Sequence, residues 1–256
     1  MNLQTGLLDY LMNVVKVIPD NWKLPVFFAS VLLIIAVSYL LGSVNSAIII
    51  SKLVYRDDVR KHGSGNPGTT NMLRSFGKGA ALMTLLGDMA KTALSILFAG
   101  FFFGFYYFWG VSIPPMGFCY VAGLFSVLGH VFPIYYKFKG GKGVLSTATM
   151  VLILSPVIFV PLLLLFIVLV AWTKYVSLGS VSSAVLYPVA LNAATQLIYP
   201  PARPMMALSS IIIAILIVWC HRANLERISN KTENKISFGK KKPEAIEEAS
   251  DGDDEE

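Results

Sequence analysis

From Pro25 to Ile50 the chain carries no charged side chain, and comparable apolar stretches follow at 79–109, 116–136, 144–172, 177–199 and 205–221. This repetition constrains the fold more than anything else in the sequence. A helix crosses the roughly 30 Å hydrocarbon core of a bilayer with about 20 apolar residues. Only helices and closed barrels satisfy their backbone groups in that medium. Hydrophobic residues make up 55% of the chain and charged ones 14%, against about 25% charged in soluble domains. A soluble domain has too small an interior to hide so much apolar side chain. A soluble enzyme, a disordered hub and a disulfide scaffold are therefore excluded. Cys119 and Cys220 lie far apart in apolar stretches and read as small hydrophobes.

Segment lengths and charges together set the topology. The stretch 25–50 suffices for one crossing. The stretch 79–109 is too long for a straight one, so its cytoplasmic end is expected to protrude and to carry Asp88 and Lys91 as a helix-surface ion pair. Pro156 and Pro161 interrupt 144–172, and a proline breaks or kinks a helix interior. Two segments, 144–155 and 157–173, fit that punctuation, the first of half-span length. With seven segments, 17 of the 21 basic residues fall on one face; with six, that asymmetry largely disappears. The expectation is an all-α integral membrane protein of seven transmembrane or half-spanning helices, N-terminus outside and C-terminus cytoplasmic. The net charge of +6 is then a positive-inside effect, and no nucleic-acid partner is expected.

Residues 1–24 form an extracytoplasmic segment in which 3–17 reads as a short helix on the membrane surface. Lys16 and Lys23 follow its apolar residues, the reverse of a cleaved signal. Residues 25–222 form the membrane domain and 223–239 the cytoplasmic end of the last motif. Residues 240–256, lysines and then acids, read as a disordered tail.

Four polar clusters fall on the expected cytoplasmic face. In Ser64-Gly65-Asn66-Pro67-Gly68-Thr69-Thr70-Asn71-Met72-Leu73-Arg74, Asn66 suits a helix cap with Pro67 at the first position and Gly77 as the end. Its glycines let backbone N–H groups approach an anion, and Arg74 offers a fork to phosphate. Thr69 and Thr70 stand where a nucleotide-binding P-loop needs Lys and Ser/Thr, so that reading is rejected. The second cluster is Gly129-His130-Val131-Phe132-Pro133 with Lys137-Phe138-Lys139-Gly140-Gly141-Lys142-Gly143. It leads into a helix N-terminus, where free amides and about half a positive charge favour phosphate. His130 reads as a hydrogen-bonded structural residue. The third, Ser177-Leu178-Gly179-Ser180, opens the next helix, with Ser177 a plausible N-cap. The fourth is His221-Arg222-Ala223-Asn224-Leu225-Glu226-Arg227, continuing to Thr232-Glu233-Asn234-Lys235. If the last helix continues past the membrane, His221 and Asn224 share a face. For each cluster the plain alternative is a turn, a cap or a basic juxtamembrane end. No histidine has a partner at zinc spacing and no Gly-x-Ser-x-Gly elbow occurs, so neither a metal nor a serine triad is expected.

With these motifs in order over most of the chain, the sequence resembles the bacterial PlsY family of membrane acyltransferases. Thr69 replaces that family's usual alanine, and the acidic tail and long N-terminal stretch are not typical of it. The resemblance implies acyl transfer from acyl phosphate to the 1-hydroxyl of sn-glycerol 3-phosphate, giving lysophosphatidic acid and phosphate, the first committed step of phospholipid synthesis. It implies no cofactor and no metal. An acyl-phosphate-producing enzyme would supply the donor. The setting implied is the bacterial inner membrane, with the site on the cytoplasmic side.

The resemblance carries site roles to Ser64, Thr70, Asn71, Arg74, Lys142, Ser177, Ser180, His221 and Asn224. Catalytic roles are expected for Lys142, Ser177, His221 and Asn224. Ser64, Thr70, Asn71, Ser177, Ser180 and the backbone of Gly140, Gly141, Lys142 and Gly143 would hold the acyl phosphate. Arg74, Lys142, His221 and Asn224 would hold glycerol 3-phosphate. No carboxylate base is obvious, which leaves the donor's own phosphate or His221 to take the proton. The alternative function is a transporter or binding protein for phosphate or a phospho-ester. It predicts internal repeats and midplane binding, whereas no repeat is evident and the clusters gather on one face.

Overall fold

The computed structural model describes residues 6–103, 116–197 and 204–236. Among these residues the chain is helical throughout, with no strand. The elements are α1 (Gly6–Asp9), α2 (Asp20–Ser43), α3 (Ser46–Val54), α4 (Thr69–Phe103), α5 (Met116–Val131), α6 (Val144–Leu154), α7 (Pro156–Thr173), α8 (Val176–Leu197), α9 (Pro204–Cys220) and α10 (Arg222–Ser229). A π-helical turn, Tyr10–Val14, continues α1. Five helical stretches are long and apolar enough to cross a membrane, six if α9 and α10 count as one span bent by 52°. The acidic tail falls outside the described residues.

Two helices carry the bilayer argument most directly. Along α7 only Ile158 and Val170 are buried, while Val160, Leu164, Ile167, Val168 and Trp172 are exposed. So apolar a face belongs in lipid. Where α2 and α5 cross, glycines replace side chains. A Cβ on Gly42 would overlap the Ser126 backbone, and one on Gly129 would overlap Tyr39 O and the Gly42 backbone. Close backbone approach through small residues is how helices pack without a hydrophobic driving force.

Three details depart from the sequence reading. The stretch 25–50 lies within one candidate crossing, Asp20–Val54, as expected, but that crossing is built from two helices. Asn45 accepts a hydrogen bond from Ile48 N–H (3.0 Å) and caps a new helix, α3, while Val44 is extended. The first motif does not start a helix at Asn66–Pro67; α4 begins at Thr69, where Asn71 and Met72 N–H groups bond Gly68 O. Gly77 does interrupt that helix, at φ +84°, but α4 resumes beyond it.

The third correction concerns Asp88 and Lys91. They are not a surface pair but are 1% and 5% exposed. Lys91 Nζ lies 3.0 Å from Asp88 Oδ1, donates to Val44 O at 2.7 Å and sits 2.8 Å from His130 Nδ1. The break after α2 leaves the Val44 carbonyl without a helical partner, and an unpaired buried carbonyl is costly. Lys91 supplies the donor, and Asp88 balances its charge. His130 is thus a hydrogen-bonded interior residue, as the sequence suggested.

The proline-punctuated stretch divides as expected. α6 is short, ends at Ser155, and α7 starts at Pro156, where a missing N–H costs nothing.

Candidate active site

A cavity of about 520 Å³ opens between α4, α6, α7 and α8 and the C-terminal segment, within the range usual for small-ligand sites. Its lining changes along its length. One end carries Ser64, Thr70, Arg74, Lys142, Ser177 and His221; the other carries Val151, Leu152, Phe159 and Tyr187. Every residue expected at the site lines this cavity except Gly140 and Gly141. Segments far apart in sequence are thus brought to one place.

Glu233 organises the polar end. Ser177 Oγ donates to its Oε1 at 2.7 Å and Asn224 Nδ2 to the same oxygen at 2.6 Å, while Arg227 Nε donates to Oε2 at 2.8 Å. Burial alone would raise this carboxyl's pKa. The hydrogen bonds from Asn224, Ser177 and Arg227 outweigh it and hold the group below its ordinary value. Asn224 passes the network on, its Oδ1 accepting from Lys142 Nζ at 2.6 Å. Burial pushes the Lys142 ammonium down to about 8, against the pull of Glu233 and with added repulsion from Arg227 and Arg74.

Arg74, exposed at the rim, donates to Asn234 O at 3.3 Å, and Ile236 N–H donates to Lys174 O at 2.9 Å. The segment after α10 is therefore strapped across the mouth of the cavity. His221 stands at the bend between α9 and α10, so the last helix does not continue straight. Its Nδ1 lies 2.8 Å from Ile217 O. A carbonyl can only accept, so Nδ1 carries the hydrogen and a neutral ring keeps a lone pair on Nε2.

The amides of the glycine run are already used. Gly140 N–H donates to Val131 O and Gly141 N–H to His130 O, and a Cβ on Gly141 would overlap the His130 ring. These two glycines dock the loop on the end of α5. Gly143 at φ +78° then turns it into α6, whose free first-turn amides open on the cavity beside Lys142. Asn71 is similarly committed. It accepts from Ser64 N–H and donates to Val59 O and His62 O, so its amide staples the first motif into shape. Asn45 Nδ2 donates to Pro67 O in the same loop at 3.3 Å. Ser177 is one residue inside α8 rather than its cap. Ser180 Oγ donates to Val176 O at 2.9 Å.

Glu233 and Arg227 stand in the fourth cluster, Arg227 one helical turn from Asn224, but the sequence reading gave neither a site role. An acid among the basic residues Arg227, Lys231 and Lys235 was the available signal. Among the described residues no group of three or more His, Cys, Asp or Glu is placed to hold a metal ion.

A family model described as glycerol-3-phosphate acyltransferase matches residues 32–231. The chain belongs to the glycerol-3-phosphate acyltransferase family. Among curated relatives, glycerol-3-phosphate acyltransferase 2 of Bacillus cereus (strain ZK / E33L) is 39% identical over 209 residues, covering 82% of this chain and 96% of its own. The glycerol-3-phosphate acyltransferase of Paraburkholderia phytofirmans is 35% identical over 223 residues, covering 87% and 98%. The crystal structure of PlsY, an integral membrane glycerol 3-phosphate acyltransferase, in its glycerol 3-phosphate form superposes with a TM-score of 0.68 at 30% identity, covering 81% of this chain and 96% of that one. Its lysophosphatidic acid form gives a TM-score of 0.66. This chain is accordingly a multi-pass membrane acyltransferase of the PlsY fold.

Proposed function

We propose that the chain transfers a fatty acyl group from acyl phosphate to the 1-hydroxyl of sn-glycerol 3-phosphate, releasing lysophosphatidic acid and inorganic phosphate in the first step of phospholipid synthesis. One observation carries the reading. A single cavity joins a cationic, hydroxyl-rich end to an apolar end, which suits two phospho-compounds of which one bears a fatty chain. Lys142 and the α6 N-terminus neutralise the acyl phosphate, with Ser64 and Thr70 supplying hydroxyl donors, while Ser177 and Ser180, whose hydroxyl protons go to Glu233 and to Val176 O, shape the site beside it. Asn71 holds the loop that presents Ser64. Arg74 forks onto the glycerol phosphate, and His221 Nε2 with Asn224 orients the attacking hydroxyl.

The hydroxyl oxygen bonds the acyl carbon while the bond from that carbon to the phosphate oxygen breaks. The hydroxyl proton leaves on the departing phosphate, whose protonation midpoint near pH 6 suits it as base. Glu233, saturated by three donors and held below its usual value, is excluded as that base; it positions Ser177 and Asn224.

The decisive assay gives purified protein palmitoyl phosphate and glycerol 3-phosphate and follows phosphate and lysophosphatidic acid. Equal yields of the two are expected. Turnover with acyl-CoA but not acyl phosphate would refute the donor.

For topology we propose seven membrane segments counting the half-span α6, with the N-terminal segment 1–24 outside, the membrane domain at 25–222, and 223–239 and the tail 240–256 in the cytoplasm of a bacterium. The site then faces the inner leaflet of the inner membrane, on the side of Lys137, Lys139 and Lys174. Cysteine placed at Lys139 should react with an impermeant maleimide only in inverted vesicles; labelling in intact spheroplasts would reverse the orientation.

A further inference from the structure

The apolar end of the cavity has a floor. α6 leads away from the phosphate end, stops at Ser155 and turns back into α7, and α8 again leads away from that end. The lining residues farthest from the phosphate end are Val151 and Leu152 on α6, Phe159 on α7 and Tyr187 on α8. Beyond Tyr187, Leu191 and Ala194 belong to the buried core and do not line the cavity. Tyr187 is itself 1% exposed and packs beside Tyr120. One turn beyond Val151, Ser155 Oγ lies 2.5 Å from Tyr120 Oη, which ties the α6–α7 break to α5 and fixes the floor in place.

From Ser177 to Tyr187 the axis of α8 advances about 15 Å. An extended hydrocarbon of ~1.5 Å bonds, advancing roughly 1.25 Å per carbon, covers that distance in about twelve carbons. One turn above Tyr187 the lining residue is Ala184, whose small side chain leaves the deep end open. On the lipid side the rim consists of Leu152 and Leu163, 37% and 39% exposed.

We propose that Tyr187 is the end stop of an acyl-chain gauge: the terminal methyl of the donor abuts its ring, and Ala184 keeps the last turn of the cavity open. This rests on the acyl-transfer reading above. A chain that fits buries all its methylenes between α6, α7 and α8. A longer one must bend out past Leu152 and Leu163 and gives up those contacts when the carbonyl is seated at Lys142.

The test compares the full chain with Ala184→Leu, Tyr187→Ala and Tyr187→Phe on a graded series of saturated acyl phosphates. Ala184→Leu raises the floor by about one helical turn, ~5.4 Å, and should move the optimum about four carbons shorter. Tyr187→Ala lowers the floor toward Tyr120 and should move it longer. Tyr187→Phe keeps the ring and should keep the profile. Ala184→Leu fills space rather than opening it, so it reports even where Tyr187→Ala fails to fold. If Ala184→Leu melts as the wild type does, turns over the shortest donor normally and keeps the wild-type profile, the gauge is wrong and the chain leaves toward lipid. Absence of turnover by the wild type with every acyl phosphate would overturn the acyl-transfer reading and the gauge with it.

Discussion

Lys142 is asked to be charged and buried at once. Its ammonium touches Asn224 Oδ1, and burial brings its pKa down to about 8. The charged form therefore dominates below that pH and is lost as pH rises through it. Turnover should show an alkaline limb near pH 8. Lys142→Arg keeps its charge far above that point and should push the limb upward. Lys142→Met should lose about 10²–10³-fold in kcat, as removal of one charge-stabilising donor does elsewhere. An unchanged limb in Lys142→Arg would assign it to another group. The sequence marked Lys142 and Arg74 because cations beside glycines have a plain use for phosphate. It hid Glu233, whose role lies in three donors from α8 and α10 that only the fold gathers. It also overstated Asn71: an amide in a glycine loop suits an anion, yet here it closes the loop on itself.

Breaks, more than spans, position the site. The apolar runs told where helices lie, and Pro156 told where α6 ends. The interruption at Val44 had a local sign in the small and polar interval Gly42-Ser43-Val44-Asn45-Ser46, which the hydropathy of the whole stretch masked; that Lys91 meets the Val44 carbonyl is settled only by packing. The same applies to Gly140 and Gly141, which a local reading assigns to phosphate and the structure assigns to docking on α5. That docking makes a prediction. Gly141→Ala places a methyl on the ring of His130, which lines the cavity, and displaces the neighbouring Lys142. Overpacking of this kind costs about 1–3 kcal/mol, so turnover should fall with a modest loss of thermal stability. Full activity in Gly141→Ala would show that the loop does not depend on this contact.

Across the molecule, four motifs spread from Ser64 to Glu233 meet at one end of one cavity, while α7 turns its apolar surface outward. Hydropathy and charge asymmetry made the membrane class legible, since both are sums over the whole chain. The convergence of the motifs was legible only as their shared side, because distance between helices is not written in any one of them. The most direct test of the central claim is phosphate release from palmitoyl phosphate and glycerol 3-phosphate by detergent-purified wild type, Arg74→Ala and Lys142→Ala, each checked for an unchanged melting profile. The expected result is folded variants that release phosphate at least about 10²-fold more slowly. Wild-type rates from both would contradict the claim that this end of the cavity is where the acyl group changes hands.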